Sequence, residues 1–395
     1  MAKTYVLESG DGGRTPFLRG ILTQSLQRAG LSFDAAYALA TEVRELVARR
    51  RGGTISTREL RQMVVQRLRD IDPRVARTYQ RGPGIPLRPM VRERDGTLVP
   101  FSELAYRRCL EASGVEPETA VGMARQLLEH LSSRRRREVP IQVLGRLTHS
   151  WLRRSLGAAQ ARRYLVWADY LRRGTPLILL VGGTAGCGKS TVATDLATRL
   201  DIVRTQSTDM LREVMRMLIP ERLLPVLHSS SFRAWEALPR PAHGEPDEEA
   251  LLEAGYQSQA ELLAVPCEAV IRRALAERVS LILEGVHVEP GFQSRLRAEA
   301  DAVVVPVLLA VLKPKQLRNR ISGRGRDTPE RRAERYLQNF DAIWRLQGHL
   351  LDGAERLGIP IVVNDHKDRA VQETMGLVVD ALARGFQGTP RTVFS

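Results

Sequence analysis

The spacing of apolar and polar positions changes character partway along this chain. In about the first 170 residues apolar side chains recur at helical intervals, as in Ile21, Leu22, Leu26 and Ala29, which with Ser25 form one face of a predicted helix. From residue 177 onward short, dense apolar runs take over: LILLVG (177–182), IVRTQ (202–206), LILEG (281–285), VVVPVLLAVL (303–312) and IPIVVN (359–364). Helical patterns separate these runs, so they predict a parallel five-stranded sheet with helices on both faces. The expected architecture is α/β, preceded by a mainly α-helical region.

That front region contains an internal repeat. With a shift of 84 residues, Pro16 matches Pro100, Phe17 matches Phe101, Leu26 matches Leu110 and Gly30 matches Gly114. Ala36, Ala40, Leu60 and Leu68 match Ala120, Ala124, Leu144 and Leu152. Each unit opens on a Gly-containing turn before a Pro-Phe pair, which predicts a short hairpin, and the Gly30-Leu31 and Gly114-Val115 pairs predict helix stops. RGPGIPLRP (81–89) reads as a linker. The expected organisation is two modules, 1–80 and 90–173, followed by an α/β domain over 174–395.

The first apolar run leads straight into Gly183-Thr184-Ala185-Gly186-Cys187-Gly188-Lys189-Ser190-Thr191. A buried strand, a glycine loop and a helix start, in that order, are the context of a phosphate-binding P-loop. Gly183, Gly186 and Gly188 let the backbone turn its N–H groups toward phosphate oxygens, and the helix adds its positive end. Lys189 can reach the β- and γ-phosphates of ATP, and the Ser190 hydroxyl can hold Mg²⁺. Cys187 is either a loop filler or a thiol activated by the helix N-terminus.

Asp209 and Glu284 fall at the carboxyl ends of predicted strands, where ligands bind in such sheets. Asp209 suits the orientation or deprotonation of an acceptor hydroxyl, and also suits the N-cap of the next helix. Glu284 is a candidate to hold Mg²⁺ through water, or an ordinary strand-end carboxylate. Arg212 is expected in the same cleft. The stretch 313–335 places Arg320, Arg324 and Arg326 around Gly323 and Gly325, the pattern of an arginine lid or of a solvated basic loop. Residues 220–265 are too long for a plain crossover and carry His228, Ser229, Ser230, Ser231 and Arg233, which can bind an acidic small molecule. His287 is a further substrate-binding candidate. Residues 386–395 read as a tail without a role.

Charge refines the picture. Of the +15 net charge, all sits in residues 1–175, which hold 32 basic and 17 acidic residues against 28 of each afterwards. The front half is therefore expected to meet something anionic. It shows no DNA-reading motif and no aromatic RNA-stacking pattern, which argues against nucleic acid. No apolar run approaches the roughly 18 residues of a membrane span, and the N-terminus does not read as a signal peptide. Three cysteines without C-x-x-C spacing suggest neither a disulfide framework nor a zinc site. The expectation is a cytoplasmic protein without membrane partner, with a homo-oligomer left open.

Both front units resemble ATP-cone modules, which implies small helical domains with a β-hairpin and an effector nucleotide. The family opens on Val-x-Lys-Arg-x-Gly and continues Phe-x-x-x-Lys. Here the second unit reads Val91-Arg92-Glu93-Arg94-Asp95-Gly96, the first Val6-Leu7-Glu8-Ser9, and the later lysine positions are Ile21 and Ala105. Regulation and mere packing or dimerisation are both open for these modules. GGTAGCGKST, STDMLREVMR, PVLHSSS, ILEGVHVEPG and the Arg-Gly segment together resemble the 2-phosphoglycerate kinase family. That resemblance implies a P-loop kinase that uses ATP to convert 2-phosphoglycerate, a small phosphorylated acid, to 2,3-bisphosphoglycerate. Lys189, Asp209 and Arg324 are then the catalytic candidates, and Ser190 and Glu284 the metal candidates. Arg212, His228, Ser229, Ser230, Arg233, His287, Arg320 and Arg326 are the acceptor-binding candidates. The alternatives are a P-loop kinase for another small hydroxy acid or alcohol, and an ATP-gated nucleic-acid-binding regulator.

Overall fold

A computed structural model describes residues 4–7, 14–50, 54–80, 89–133, 138–239, 247–296, 302–327 and 333–395. The expected linker at 81–88 and the basic run Arg134–Arg137 lie outside the described residues. The chain divides into two compact units, Met1–Phe101 with Leu128–Val139, and Ser102–Leu127 with Pro140–Ser395.

In the first unit, β1 (Tyr5–Leu7) pairs antiparallel with β2 (Arg14–Pro16) and parallel with β3 (Thr54–Ser56). Helices α1 (Arg19–Ala29), α2 (Phe33–Ala48), α3 (Thr57–Ile71) and α4 (Pro73–Gln80) enclose a core of Leu26, Leu39, Val43, Val64 and Leu68. Local chemistry sets the boundaries. Gly30 ends α1 in the left-handed region at φ +116°, and Ser56 with Glu59 forms a capping box at the start of α3. Ile21, expected on the buried face of α1, is 64% exposed, because the core stripe is carried by Leu22, Leu26 and Ala29.

The same elements recur as β4 (Met90–Arg92), β5 (Leu98–Pro100), α5 (Glu103–Ala112), α6 (Pro117–Ser133), β6 (Glu138–Pro140), α7 (Ile141–Ser155) and α8 (Ala158–Arg173). The starts of β2 and β5, α1 and α5, α2 and α6, β3 and β6, and α3 and α7 are each 84 residues apart. The matched residues are the core residues: Leu26 and Leu110, Ala36 and Ala120, Ala40 and Ala124, and Leu68 and Leu152 are all fully buried. The repeat is therefore one of packing.

The second unit is built on five parallel strands, β7 (Leu177–Gly182), β8 (Arg204–Ser207), β9 (Leu281–Glu284), β10 (Val303–Ala310) and β11 (Ile361–Val363), in the order β11-β10-β7-β9-β8. The strand carrying the P-loop is central. Side chains alternate between the two faces. Leu177, Leu179 and Val181 pack with Val192 and Leu196 of α9 (Lys189–Leu200). Ile178 and Leu180 pack on the opposite side with Cys267 and Ile271. The remaining helices are α10 (Thr208–Leu218), α11 (Pro225–His228), α12 (Glu248–Ala276), α13 (Pro314–Asp327), α14 (Ala333–Gln338), α15 (Phe340–Arg356), α16 (Lys367–Ala383) and α17 (Pro390–Val393). Ala112, Val166 and Trp167 of the second repeat belong to the same hydrophobic cluster as the α9 face of the sheet, so this unit reaches forward across the boundary expected at 173.

Two sequence expectations change here. The expected lid is not a glycine-hinged loop at 323–325: α13 runs through both glycines, anchored by the buried Leu317 and Ile321. The final residues are not a free tail. Val393 and Phe394 are buried, the Phe394 ring lies 6.3 Å from that of Tyr164, and Arg146 donates to the Phe394 carbonyl at 2.6 Å.

Candidate active site

The register of the sheet aligns three strand ends. Glu284 stands opposite Val181 on one side and Ser207 on the other. The P-loop, the strand-end carboxylate and the start of α10 therefore emerge along one edge, the carboxyl edge of the sheet.

The loop itself is tightly held. Gly188 adopts φ +91°, and a Cβ there would come within 2.6 Å of Asn364 Nδ2, so only glycine fits. The Cys187 carbonyl accepts from Asn364 Nδ2 at 2.8 Å and, more weakly, from Arg320 Nη1 at 3.5 Å. Arg320 also donates to the Asp365 carbonyl at 3.0 Å, which joins α13 to the end of β11. Cys187 is fully buried in the core of this unit, the packing role rather than that of an exposed thiol. Lys189 is 7% exposed and its Nζ donates to the Thr184 carbonyl at 2.8 Å, spanning the loop. Thr184 Oγ1 is buried with no hydrogen-bond partner among the described residues.

Ser190, in the first turn of α9, donates its hydroxyl to Glu284 Oε1 at 2.8 Å. These features fit a triphosphate and its metal: a left-handed glycine loop, a helix N-terminus, a buried ammonium, an orphaned hydroxyl, and a hydroxyl–carboxylate pair. Among the described residues there is no group of three or more His, Cys, Asp or Glu side chains able to hold a metal ion.

The acceptor-side candidates separate into two groups. Asp209 is exposed, lies in the first turn of α10, and makes no side-chain hydrogen bond among the described residues. Ser207 occupies the N-cap position of α10 without a side-chain capping bond, so Asp209 is not the N-cap. Ser229 and Ser230 are half-buried, and their hydroxyls likewise have no partner among the described residues. The others are engaged by the protein. Arg212 donates to the carbonyls of Ser229 at 2.7 Å and Leu227 at 3.3 Å. The His228 ring bonds the Ile219 carbonyl at 2.9 Å. Arg233 makes a two-pronged pair with Glu236, both contacts at 2.7 Å. Arg324 and Arg326 lie on α13, and their side chains are outside the described residues. Thr191 is exposed on α9.

His287 differs most from its expected place. It is 2% exposed, with Nδ1 3.0 Å from Thr208 Oγ1 and Nε2 2.8 Å from Gln259 Oε1. Burial lowers its pKa to about 3; Asp209 opposes this, while Arg212 and Lys189 reinforce it. Both ring nitrogens are thus engaged by protein side chains. Gly285, at φ +157°, makes the approach possible, since a Cβ would fall 1.8 Å from Thr208 Oγ1.

Three contributors escape a reading based on motifs: Asn364, Gln259 and Thr208. Asn364 carried a usable signal, a polar residue ending an apolar run, the same pattern that exposed Glu284.

Among α/β proteins, this sheet order and loop define the P-loop kinase class. Comparison with known proteins takes the assignment further. The model of the ATP cone domain matches residues 7–81 and 89–173. The 2-phosphoglycerate kinase of Pyrococcus furiosus is 34% identical over 284 residues, 72% of this chain and 91% of the relative. That of Methanopyrus kandleri is 33% identical over 296 residues, 75% of this chain and 88% of the relative. A gluconokinase structure from Sinorhizobium meliloti overlaps 53% of this chain and 93% of its own at 17% identity and a TM-score of 0.27, too slight a likeness to bear on function. The chain belongs to the 2-phosphoglycerate kinase family.

Proposed function

We propose that this protein moves the γ-phosphoryl group of ATP to the free hydroxyl of 2-phosphoglycerate, giving ADP and 2,3-bisphosphoglycerate. The observation that carries the reading is the Ser190–Glu284 hydrogen bond at the carboxyl edge of the sheet. Asp209, which makes no side-chain hydrogen bond among the described residues, lies two residues past Ser207, the register partner of Glu284. Family membership supplies the acceptor.

The P-loop amides and the α9 N-terminus hold the phosphates of ATP. Lys189 exchanges the Thr184 carbonyl for phosphate oxygens and offsets their charge. Ser190 and Glu284 are the residues that would hold Mg²⁺, the serine directly and the carboxylate through water. When bound, the metal neutralises charge on the β- and γ-phosphates. Asp209 aligns the acceptor hydroxyl and takes its proton as the oxygen–phosphorus bond forms and the bond to the β-phosphate oxygen breaks. Ser229 and Ser230 offer hydroxyls to the acceptor, and Arg320 of α13, which reaches the Cys187 carbonyl, gives positive charge beside the phosphate loop. Arg324 and Arg326 keep their proposed roles from the sequence pattern alone.

The front modules are read as nucleotide-responsive regulators, in keeping with the ATP-cone match. The second offers a direct path, since Glu111 of α5 accepts from Arg199 of the P-loop helix at 3.3 Å. The nucleic-acid alternative is not favoured. No helix among the described residues is long and apolar enough to cross a membrane.

The test is ³¹P NMR of the full chain with ATP, Mg²⁺ and 2-phosphoglycerate. A second phosphate monoester resonance, on C3 of the product, is expected in step with ADP. ADP formation with inorganic phosphate alone would overturn the assignment.

A further inference from the structure

Four polar side chains that the proposed chemistry does not use form one continuous buried network. Thr208, His287 and Gln259 are each 2% exposed or less, and the half-buried Arg212 joins them at the Ser229 carbonyl. The chain of bonds runs from Thr208 Oγ1 to His287 Nδ1 (3.0 Å), then from His287 Nε2 to Gln259 Oε1 (2.8 Å). From there Gln259 Nε2 reaches the carbonyls of Val226 (2.5 Å) and Ser229 (3.1 Å).

The direction of every proton in this chain follows from its far end. Backbone carbonyls only accept, so the Gln259 NH₂ group must face Val226 and Ser229, and its oxygen must face His287. An amide oxygen only accepts, so His287 carries its proton on Nε2. Its Nδ1 is then bare, and the Thr208 hydroxyl must donate to it. Replacing any member by a group of the wrong polarity leaves a buried donor or acceptor unmet.

The network joins the parts that have to be in register for transfer. His287 lies three residues beyond Glu284, which holds the Ser190 hydroxyl. Thr208 precedes Asp209 at the start of α10. Gln259 and Arg212 both hold the carbonyl of Ser229, the segment that offers hydroxyls to the acceptor. Tyr256, one turn before Gln259, stacks beside the imidazole at 6.5 Å and donates to the Val286 carbonyl at 2.8 Å, so the ring cannot swing.

We propose that His287, as the neutral Nε2–H tautomer, is a positioning residue that sets the spacing between Asp209 and the Ser229–Ser230 segment, and so the fit of the acceptor. It acts through Thr208 and Gln259 and touches neither substrate. The kinetic part rests on the acceptor assignment above; the tautomer does not.

The experiment has two arms on the full chain. In the first, ¹⁵N-histidine NMR of the wild type is compared with His287→Gln, which identifies the His287 signals among the seven histidines. A protonated Nε2 beside a bare Nδ1, unchanged through neutral pH, is expected. A protonated Nδ1, or an imidazolium titrating near neutrality, overturns the proposal. In the second, Thr208→Val removes the hydroxyl at constant shape and Thr208→Ser restores it. Loss of this one buried bond is expected to raise the KM for 2-phosphoglycerate about ten-fold with the KM for ATP within about two-fold, and serine is expected to recover most of the loss. Equal rises in both KM values, or a serine variant as impaired as valine, contradict it. If the wild type does not turn over 2-phosphoglycerate, the functional assignment fails and the NMR arm alone decides the tautomer.

Discussion

The Ser190 hydroxyl lies 2.8 Å from Glu284 Oε1 and donates to it, so the first turn of the P-loop helix and the end of the neighbouring strand share one hydrogen bond. In the proposed mechanism this pair is preset for a hydrated magnesium ion. Ser190→Ala and Glu284→Gln are each expected to lower kcat about 10²–10³-fold, the scale of losing one preorganised electrostatic contact. Steady-state kinetics over a magnesium titration checks this. The variants should need more magnesium as well as turning over more slowly.

Asp209 is exposed and makes no side-chain hydrogen bond among the described residues, so its removal should leave the fold intact. Asp209→Asn is expected to change unfolding free energy by less than about 0.5 kcal/mol. Its kcat should fall about 10²–10⁴-fold, the range for a lost general base. Urea denaturation and kinetics on the same preparation separate the two effects.

Burial of His287 predicts an acid-sensitive fold. Its pKa is about 3 in the folded chain against 6.5 ordinarily. Between those values the unfolded chain binds a proton that the folded chain does not. The stability present above about pH 6.5 is therefore lost progressively as pH falls toward 3. The slope contributed by this one residue should disappear in His287→Gln. Melting temperatures of wild type and variant from pH 7 to pH 4 should converge as pH falls.

Phe394 gives a stability prediction far from the chemistry. Its ring packs so closely on α7 that a Cβ at Gly145 would meet it at 2.3 Å. Phe394→Ala is expected to cost about 3 kcal/mol, as for a buried aromatic elsewhere. Gly145→Ala should also destabilise, by overpacking the same contact. Chemical denaturation measures both.

The sequence was most informative where one local pattern had one physical solution. The apolar runs of β7, β9, β10 and β11 became buried or half-buried strands, whereas β8, with only Ile202 and Val203 apolar ahead of it, is a largely exposed edge strand. Gly183 to Ser190 turn between the first strand and a helix. The repeat was readable because the matched residues, such as Leu26 and Leu110, are core positions fixed by packing. Tertiary hydrogen bonds were not readable. Nothing near His287 in the sequence indicates that Gln259 and Thr208 will enclose it, and a histidine just past a strand end suggests a ligand until its burial is known. Arg233 and His228 likewise have partners the sequence does not announce, Glu236 and the Ile219 carbonyl. The glycines at 323 and 325 suggested a hinge. Helix α13 tolerates them because Leu317 and Ile321 anchor it from the turn before.

The most direct test of the central claim is ADP release by the full chain, with ATP and magnesium, across a panel of phosphorylated and unphosphorylated hydroxy acids. 2-Phosphoglycerate is expected to stimulate release well above every other acceptor, and Lys189→Ala to abolish that stimulation while staying folded. Release that is equal with and without 2-phosphoglycerate, or greater with another hydroxy acid, would contradict the account.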